Sequence, residues 1–368
     1  MRLFTLAAMA VSAAAFGLGA TAPSRAATQA KLSGPYQHEN LAVYFIHGSS
    51  ADGPVPLTLS EALVRGQVQV RETGSVNNLE IENTGTADVF IQAGDIVKGG
   101  QQDRVLIMSM ILPGKSGVVP IGSYCVEQGR WSKRGTEDVK RFASASEALP
   151  SREAKLAMKA PARPTAMPSA TANPDPQIAR TRNGGGDDTG KRQQEMWAAV
   201  AGVQNKLSDK LGAPVAGQQS ATSLQLSLEN EKLKSTRAAY IAGLEGKATD
   251  SDIVGYVFAV NGKINSADQY PSNGLFKKMW PKLLAASATE AIGDATKAKS
   301  GQASPSSATT APEIANVEAF LARAETGAAQ DKPLGKLASQ QLKDSDAALY
   351  IESRRADGAW VHRNYLAK

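Results

Sequence analysis

An α+β fold is predicted: a mainly antiparallel β unit in the N-terminal half, helices and a β-hairpin behind it, and a small C-terminal hairpin appendage. Three observations carry this. From Gly66 to about Ser123 apolar residues recur at every second position, as in Val68 and Val70 or Leu79 and Ile81, the period of half-buried strands. Beyond Met196 the spacing becomes helical. An apolar run then meets a more polar one at Asn261-Gly262, the dipeptide of a tight hairpin turn.

The first element, residues 1–26, reads as a signal peptide. Arg2 precedes an apolar run from Leu3 to Ala20, and Ser24 and Ala26 stand where a signal peptidase reads small residues. The run is rich in Ala and Gly, and no later stretch reaches spanning length, so export to the periplasm or the exterior is expected rather than a transmembrane anchor. No cysteine stands just after the run, so a lipoprotein anchor is not expected. Residues 31–39 look like an extended leader, and "LAVYFIHG" (41–48) like a strand. Thr58 and Glu61 form a capping box that opens a short helix. The region from Gly66 then supplies about six to eight short strands with Gly, Asn and Pro between them. Residues 136–160 are polar and Ala-rich, which predicts helix.

Residues 159–191 are rich in Pro, Ala, Gly and polar residues and read as a flexible insertion within a domain over 40–292. Met196, Val200, Val203, Leu207 and Leu211 fall on one helical face, and Leu233, Tyr240, Ile241 and Leu244 on another. After the Asn261-Gly262 hairpin comes a helix carrying Leu275, Phe276, Met279, Leu283 and Leu284 inward, with Pro281 inside it. Residues 293–312 read as a linker, and 313–368 as a short helix plus a hairpin turning at Asp357-Gly358.

Composition narrows the function classes. The chain has 41 basic and 35 acidic residues, and removal of residues 1–26 takes away only Arg2 and Arg25. The charge is scattered, which does not point to nucleic acid. One cysteine permits no internal disulfide. His38, His47 and His362 are far apart and no pair has ligand spacing, so no metal and no cofactor are expected. A Gly-x-Ser-x-Gly nucleophile elbow is absent as well.

Chemistry-bearing residues gather in "GDIVKGGQQDR" (94–104) and "SYCVEQGRW" (123–131). The glycines fit neither a P-loop, since Gln101 follows them, nor a Rossmann turn. Strand alternation puts Gln102 and Arg104 on one face and Cys125 and Glu127 on one face. Such residues on core-side faces are costly unless paired or lining a cavity. If the two strands are neighbours, Arg104 and Glu127 can pair, with Asp95, Arg130 and Trp131 around them. That pair either staples the sheet or belongs to a ligand site.

Gly99, Gly100, Gln102 and Arg104, followed by Cys125, Glu127, Gly129, Arg130 and Trp131, resemble the two motifs of the bacterial ADP-ribosylglycohydrolase and rhodanese-phosphatase-associated domain family. The hairpin and helix through Trp280-Pro281 are similar to that family's closing unit, so the resemblance runs over roughly 40–290. Asp103 stands where the family commonly has Asn. The resemblance implies a link to ADP-ribose and no established reaction. The first reading is therefore an exported binding domain for an anionic or nucleotide-like ligand, held by Gly99, Gly100, Gln102, Arg104, Arg130 and Trp131. Two alternatives stand beside it. One is a hydrolase with Glu127 as general acid/base or Cys125 as nucleophile. The other is a structural envelope protein.

Overall fold

The computed structural model describes residues 31–159, 188–295 and 309–368. The expected signal peptide, nearly all of the 159–191 insertion and most of the 293–312 linker lie outside these residues.

The α+β class holds: antiparallel sheets combine with seven helices among the described residues. The described residues open with two paired strands, β1 (Lys31–His38) and β2 (Leu41–His47). The stretch expected as a leader is thus an edge strand. The short β3 (Leu57–Thr58) leads into α1 (Leu59–Val64). Thr58 caps this helix with Glu61 reaching back to the Thr58 amide, which is the expected capping box. The alternating region forms β4 (Val68–Glu72), β5 (Asn78–Asn83), β6 (Val89–Ile91), β7 (Asp95–Gly99), β8 (Arg104–Leu106), β9 (Met110–Leu112) and β10 (Gly117–Cys125).

Residues 136–160 are only partly helical. Phe142–Ala148 is strand β11, and α2 is confined to Arg152–Lys159. "FASASEA" has small alternating residues that read as helix in isolation. Its pairing with β7, Phe142 opposite Gly99 and Ser144 opposite Val97, decides the matter. This is a tertiary contact overriding local preference.

The six strands run β11-β7-β8-β10-β5-β4. The two ends approach each other through the Arg71–Arg141 bridge and a bond from Glu72 N–H to Lys140 O of 3.0 Å. The curled sheet encloses Val68, Val70, Leu79, Ile81, Val97, Leu106 and Ile121. Beside it, β3-β6-β9 forms a small sheet.

The second half supplies α3 (Asp188–Leu211), α4 (Leu224–Leu228), α5 (Glu231–Leu244), β12 (Ile253–Val260), β13 (Lys263–Gln269) and α6 (Asn273–Asp294). The predicted stripes are core: Met196, Val200, Leu207 and Leu211 of α3 and Leu233, Tyr240 and Leu244 of α5 are buried. Asn261 and Gly262 both have positive φ, 51° and 72°, which makes their hairpin turn type I′.

After residue 309 the chain forms α7 (Ile314–Ala324), β14 (Ala329–Leu334), β15 (Ala338–Asp344), β16 (Ala348–Arg355) and β17 (Trp360–Ala367). The expected C-terminal hairpin region is present and contains two hairpins, β14–β15 and β16–β17. β17 pairs with β13, giving one eight-stranded sheet in the order β1-β2-β12-β13-β17-β16-β15-β14. Helices α3, α5 and α6 cover one face with Phe276 and Trp280 against Phe45 and Tyr256. α7 covers the other with Val317, Phe320 and Leu321 packed among Tyr44, Val257 and Tyr365. Every residue of β12 is buried as a result.

Candidate functional site

The two motifs meet where β8 and β10 pair antiparallel with Cys125 opposite Arg104. The expected neighbouring of these strands is observed, but the Arg104–Glu127 pair is not. The strand pairing ends at Cys125 and Arg104, so Glu127 falls beyond it and meets Asp103 instead. Asp103 N–H donates to Glu127 Oε2 at 3.0 Å, while Val126 N–H donates to Asp103 O at 3.0 Å. Asp95 is absent from the cluster too. It starts β7, pairs with Lys282 of α6 at 2.8 Å and accepts from the Gln92 amide.

The motif residues divide into two groups. The first is a clasp. Arg134 grips Asp103 with both terminal nitrogens, at 2.8 and 2.9 Å. Ser223 donates from Oγ to the same carboxylate at 2.7 Å and, as the N-cap of α4, accepts from Leu226 N–H. Arg130 donates from Nε to Glu127 at 2.7 Å and from its terminal nitrogens to the carbonyls of Gly99, Gly100 and Ser132. Asp103 also accepts from Gly99 N–H, and Gly100 N–H bonds the carbonyls of Asp138 and Arg141. The glycine amides are thus used inside the protein. They serve backbone geometry and close packing: Gly99 and Gly100 have φ of 114° and 54°, and a Cβ on Gly100 would lie 2.4 Å from Phe142. The Asp103 carboxylate pulls the Arg134 guanidinium further into its charged form, outweighing the burial that opposes it.

The second group leaves polar atoms unpaired. Gln102 is fully buried, yet neither its amide oxygen nor its amide nitrogen has a partner. Arg104, equally buried, donates to Gln102 O at 2.7 Å and to Glu72 Oε1 at 3.3 Å, while its Nε has no partner. Glu72 Oε2 and Gln101 Oε1 are buried and unpaired as well. The half-buried Trp131 stacks on the Arg104 guanidinium at 5.7 Å, as a cation–π contact. Several orphaned groups in one place are unusual, because buried polar atoms are nearly always satisfied.

Cys125 is wholly buried beneath these residues, with Val76 and Trp197 around it. Burial pushes its thiol up to about 11. Gln193 of α3 binds its backbone N–H and C=O, each at 2.9 Å. Such a thiol is protonated and shielded, the opposite of a nucleophile.

Sequence reasoning missed Asp103, Arg134, Glu72 and Ser223 as members of the cluster. It also missed a buried relay elsewhere, in which Ser109 Oγ meets His362 Nδ1 at 2.9 Å and His362 Nε2 meets Asp268 Oδ1 at 3.0 Å. All three are buried, and Ala93 N–H and Asn364 Nδ2 complete the bonding. The relay resembles a hydrolase triad in its order of bonds. At 1% exposure each, its serine and histidine have their polar atoms bonded within the chain, and its effect is to tie β9 to β13 and β17.

The domain family described as ARG and Rhodanese-Phosphatase-superfamily-associated Protein matches residues 29–366. The chain belongs to this family. The match reaches beyond the 40–290 expected from the motifs and takes in α7 and β14–β17, in agreement with their place in the main sheet. No curated protein and no solved structure shows a significant match. Among the described residues no helix of this family member is long and apolar enough to cross a membrane.

Proposed function

We propose that the protein is a binding domain whose buried, unpaired motif residues take a small, hydroxyl- or amide-bearing molecule, such as the sugar of a nucleotide-like ligand, beside Trp131. The observation that carries this reading is Gln102: a fully buried amide with no partner at either end. Leaving a buried donor or acceptor unpaired costs about 1–3 kcal/mol. Such a cost persists where something other than the chain itself supplies the missing bonds. The vacant set offers donors (Gln102 Nε2, Arg104 Nε) and acceptors (Gln102 Oε1, Glu72 Oε2, Gln101 Oε1). Hydroxyl and amide groups match a mixed set of that kind.

The charge supports a neutral group over the expected anion. Glu72, Asp103 and Glu127 stand against Arg104, Arg130 and Arg134, which leaves no positive excess to draw a phosphate. The hydrolase reading is weaker, because Glu127 is held by three protein donors: Arg130, Arg134 and the Asp103 amide. Export is inferred from the N-terminal apolar run alone.

A thermal-shift series with D-ribose, adenosine, ADP-ribose, NAD and inorganic phosphate tests the reading in wild type and Gln102→Leu. The sugar-bearing compounds raise the wild-type midpoint and leave the variant unmoved, and phosphate alone has no effect. A lower midpoint in Gln102→Leu, with no compound shifting either protein, supports the bracing role instead.

A further inference from the structure

At the other end of the molecule, the fold assembles donors that are far apart in the chain. His47 closes β2 and lies opposite Ile253 of β12, which brings it to the loop containing Asp250 and Asp252. His47 Nδ1 and Asp252 Oδ1 are 2.8 Å apart. Asp250 adds a carboxylate oxygen, and the three donor atoms all lie within 4.8 Å of one another. The imidazole side chain is only 6% exposed, and its far nitrogen, Nε2, is fixed by Ser33 Oγ of β1 at 2.8 Å. An open cleft of about 450 Å³, lined by Lys31, Gly48, Ser49, Ser50 and Ser251 as well as His47 and Asp252, adjoins them.

We propose that His47, Asp250 and Asp252 bind a divalent transition-metal cation of the zinc or manganese class, with its remaining coordination positions facing this cleft. The donor set selects the class: an imidazole with two carboxylates suits these ions, whereas magnesium and calcium prefer oxygen alone. The bond from Nε2 to Ser33 is the outer contact a metal-bound histidine requires, since it fixes ring rotation and tautomer. With the ion bound, Nε2–H donates to Ser33 and the Nδ1 lone pair points to the metal. Two ligands at about 2.0–2.1 Å from a tetrahedral ion stand about 3.4 Å apart, so His47 and Asp252, now 2.8 Å apart, need open by about 0.6 Å. Asp250 and Asp252 are exposed and free to swing inward. Their two charges outweigh the neighbouring Lys31. His47 and Asp252 are 205 residues apart in the chain, which is why no ligand spacing is visible in the sequence. This site does not depend on the motif pocket.

The test uses the untagged full chain, stripped with chelator and titrated calorimetrically with zinc chloride and manganese chloride, and with magnesium chloride for comparison. One equivalent of zinc or manganese binds saturably and raises the thermal midpoint, magnesium does neither, and Asp250→Asn weakens binding at least tenfold. Asp250→Asn has no buried contact to lose, so its unliganded midpoint stays at the wild-type value; His47→Gln abolishes binding. Absence of saturable zinc or manganese binding, equal affinity in Asp250→Asn, or a response to magnesium alone would overturn the proposal.

Discussion

Gln102 and Asp103 are adjacent in sequence and opposite in fate. Asp103 accepts from Arg134 twice, from Ser223 and from the Gly99 amide, whereas the Gln102 side chain bonds nothing. The carboxylate of Asp103 makes the clasp ionic. His362 shows a further residue-level effect. Burial pulls its pKa below the ordinary 6.5, against the opposing pull of Asp268. The unfolded chain therefore takes up a proton near pH 6.5 that the folded chain refuses, and stability falls as pH drops below that value. Asp268, whose pKa is lowered chiefly by the hydrogen bond and charge of His362 acting against burial, contributes in a separate window. Its stabilisation is present above the ordinary carboxylate value and is lost in more acid solution. Thermal midpoints measured from about pH 7.5 to 5.5 should decline in wild type, and the decline should be shallower in His362→Gln. An equal slope in both proteins would assign the effect to another group.

At the scale of elements, the clasp links β7, β8, the segment after β10 and the cap of α4 through buried side chains. Arg134 is its centre. Replacing it with methionine strips the buried Asp103 of its bidentate guanidinium, while Glu127 keeps Arg130, and removal of one partner from a buried pair costs about 3–5 kcal/mol. Chemical denaturation of Arg134→Met should show a loss of that order, while Lys140→Met, at an exposed position nearby, should change little. The elements themselves were largely legible. Period two gave the strands from Val68 to Cys125, and the Thr58 capping box and the Asn261-Gly262 turn are local signals that survive folding. β11 was not legible, because its strand character comes from pairing with β7. The site was half legible. The motifs named Gln102, Arg104, Glu127 and Arg130, but the partner of each depends on where a strand ends. The pairing of β8 with β10 stops at Arg104 and Cys125, so Glu127 lies past it and turns to the Asp103 amide rather than to Arg104. Glu72 and Arg134 carry no sequence signal of their own, as nothing local shows that β4 curls back to the start of β11.

Across the described residues, one eight-stranded sheet joins the first strand, β1, to the last, β17. β13 sits between β12 and β17, and α7 seals the face opposite the other helices. A chain cut after residue 292 loses both the strand that covers β13 and the helix that covers Tyr44 and Val257. It should unfold without the single cooperative transition of the intact protein when followed by circular dichroism. A truncated chain with an unchanged midpoint would show that residues 313–368 are a separable unit. The same architecture holds the motif rigidly enough for its unpaired groups to persist. The central claim, that these groups are completed by a ligand, is tested most directly by calorimetric titration of the intact protein with D-ribose and with ADP-ribose, in parallel with Gln102→Leu. Saturable heat in wild type that vanishes in a variant of equal or higher stability is the predicted result. No heat in either protein, together with a destabilised Gln102→Leu, would contradict it.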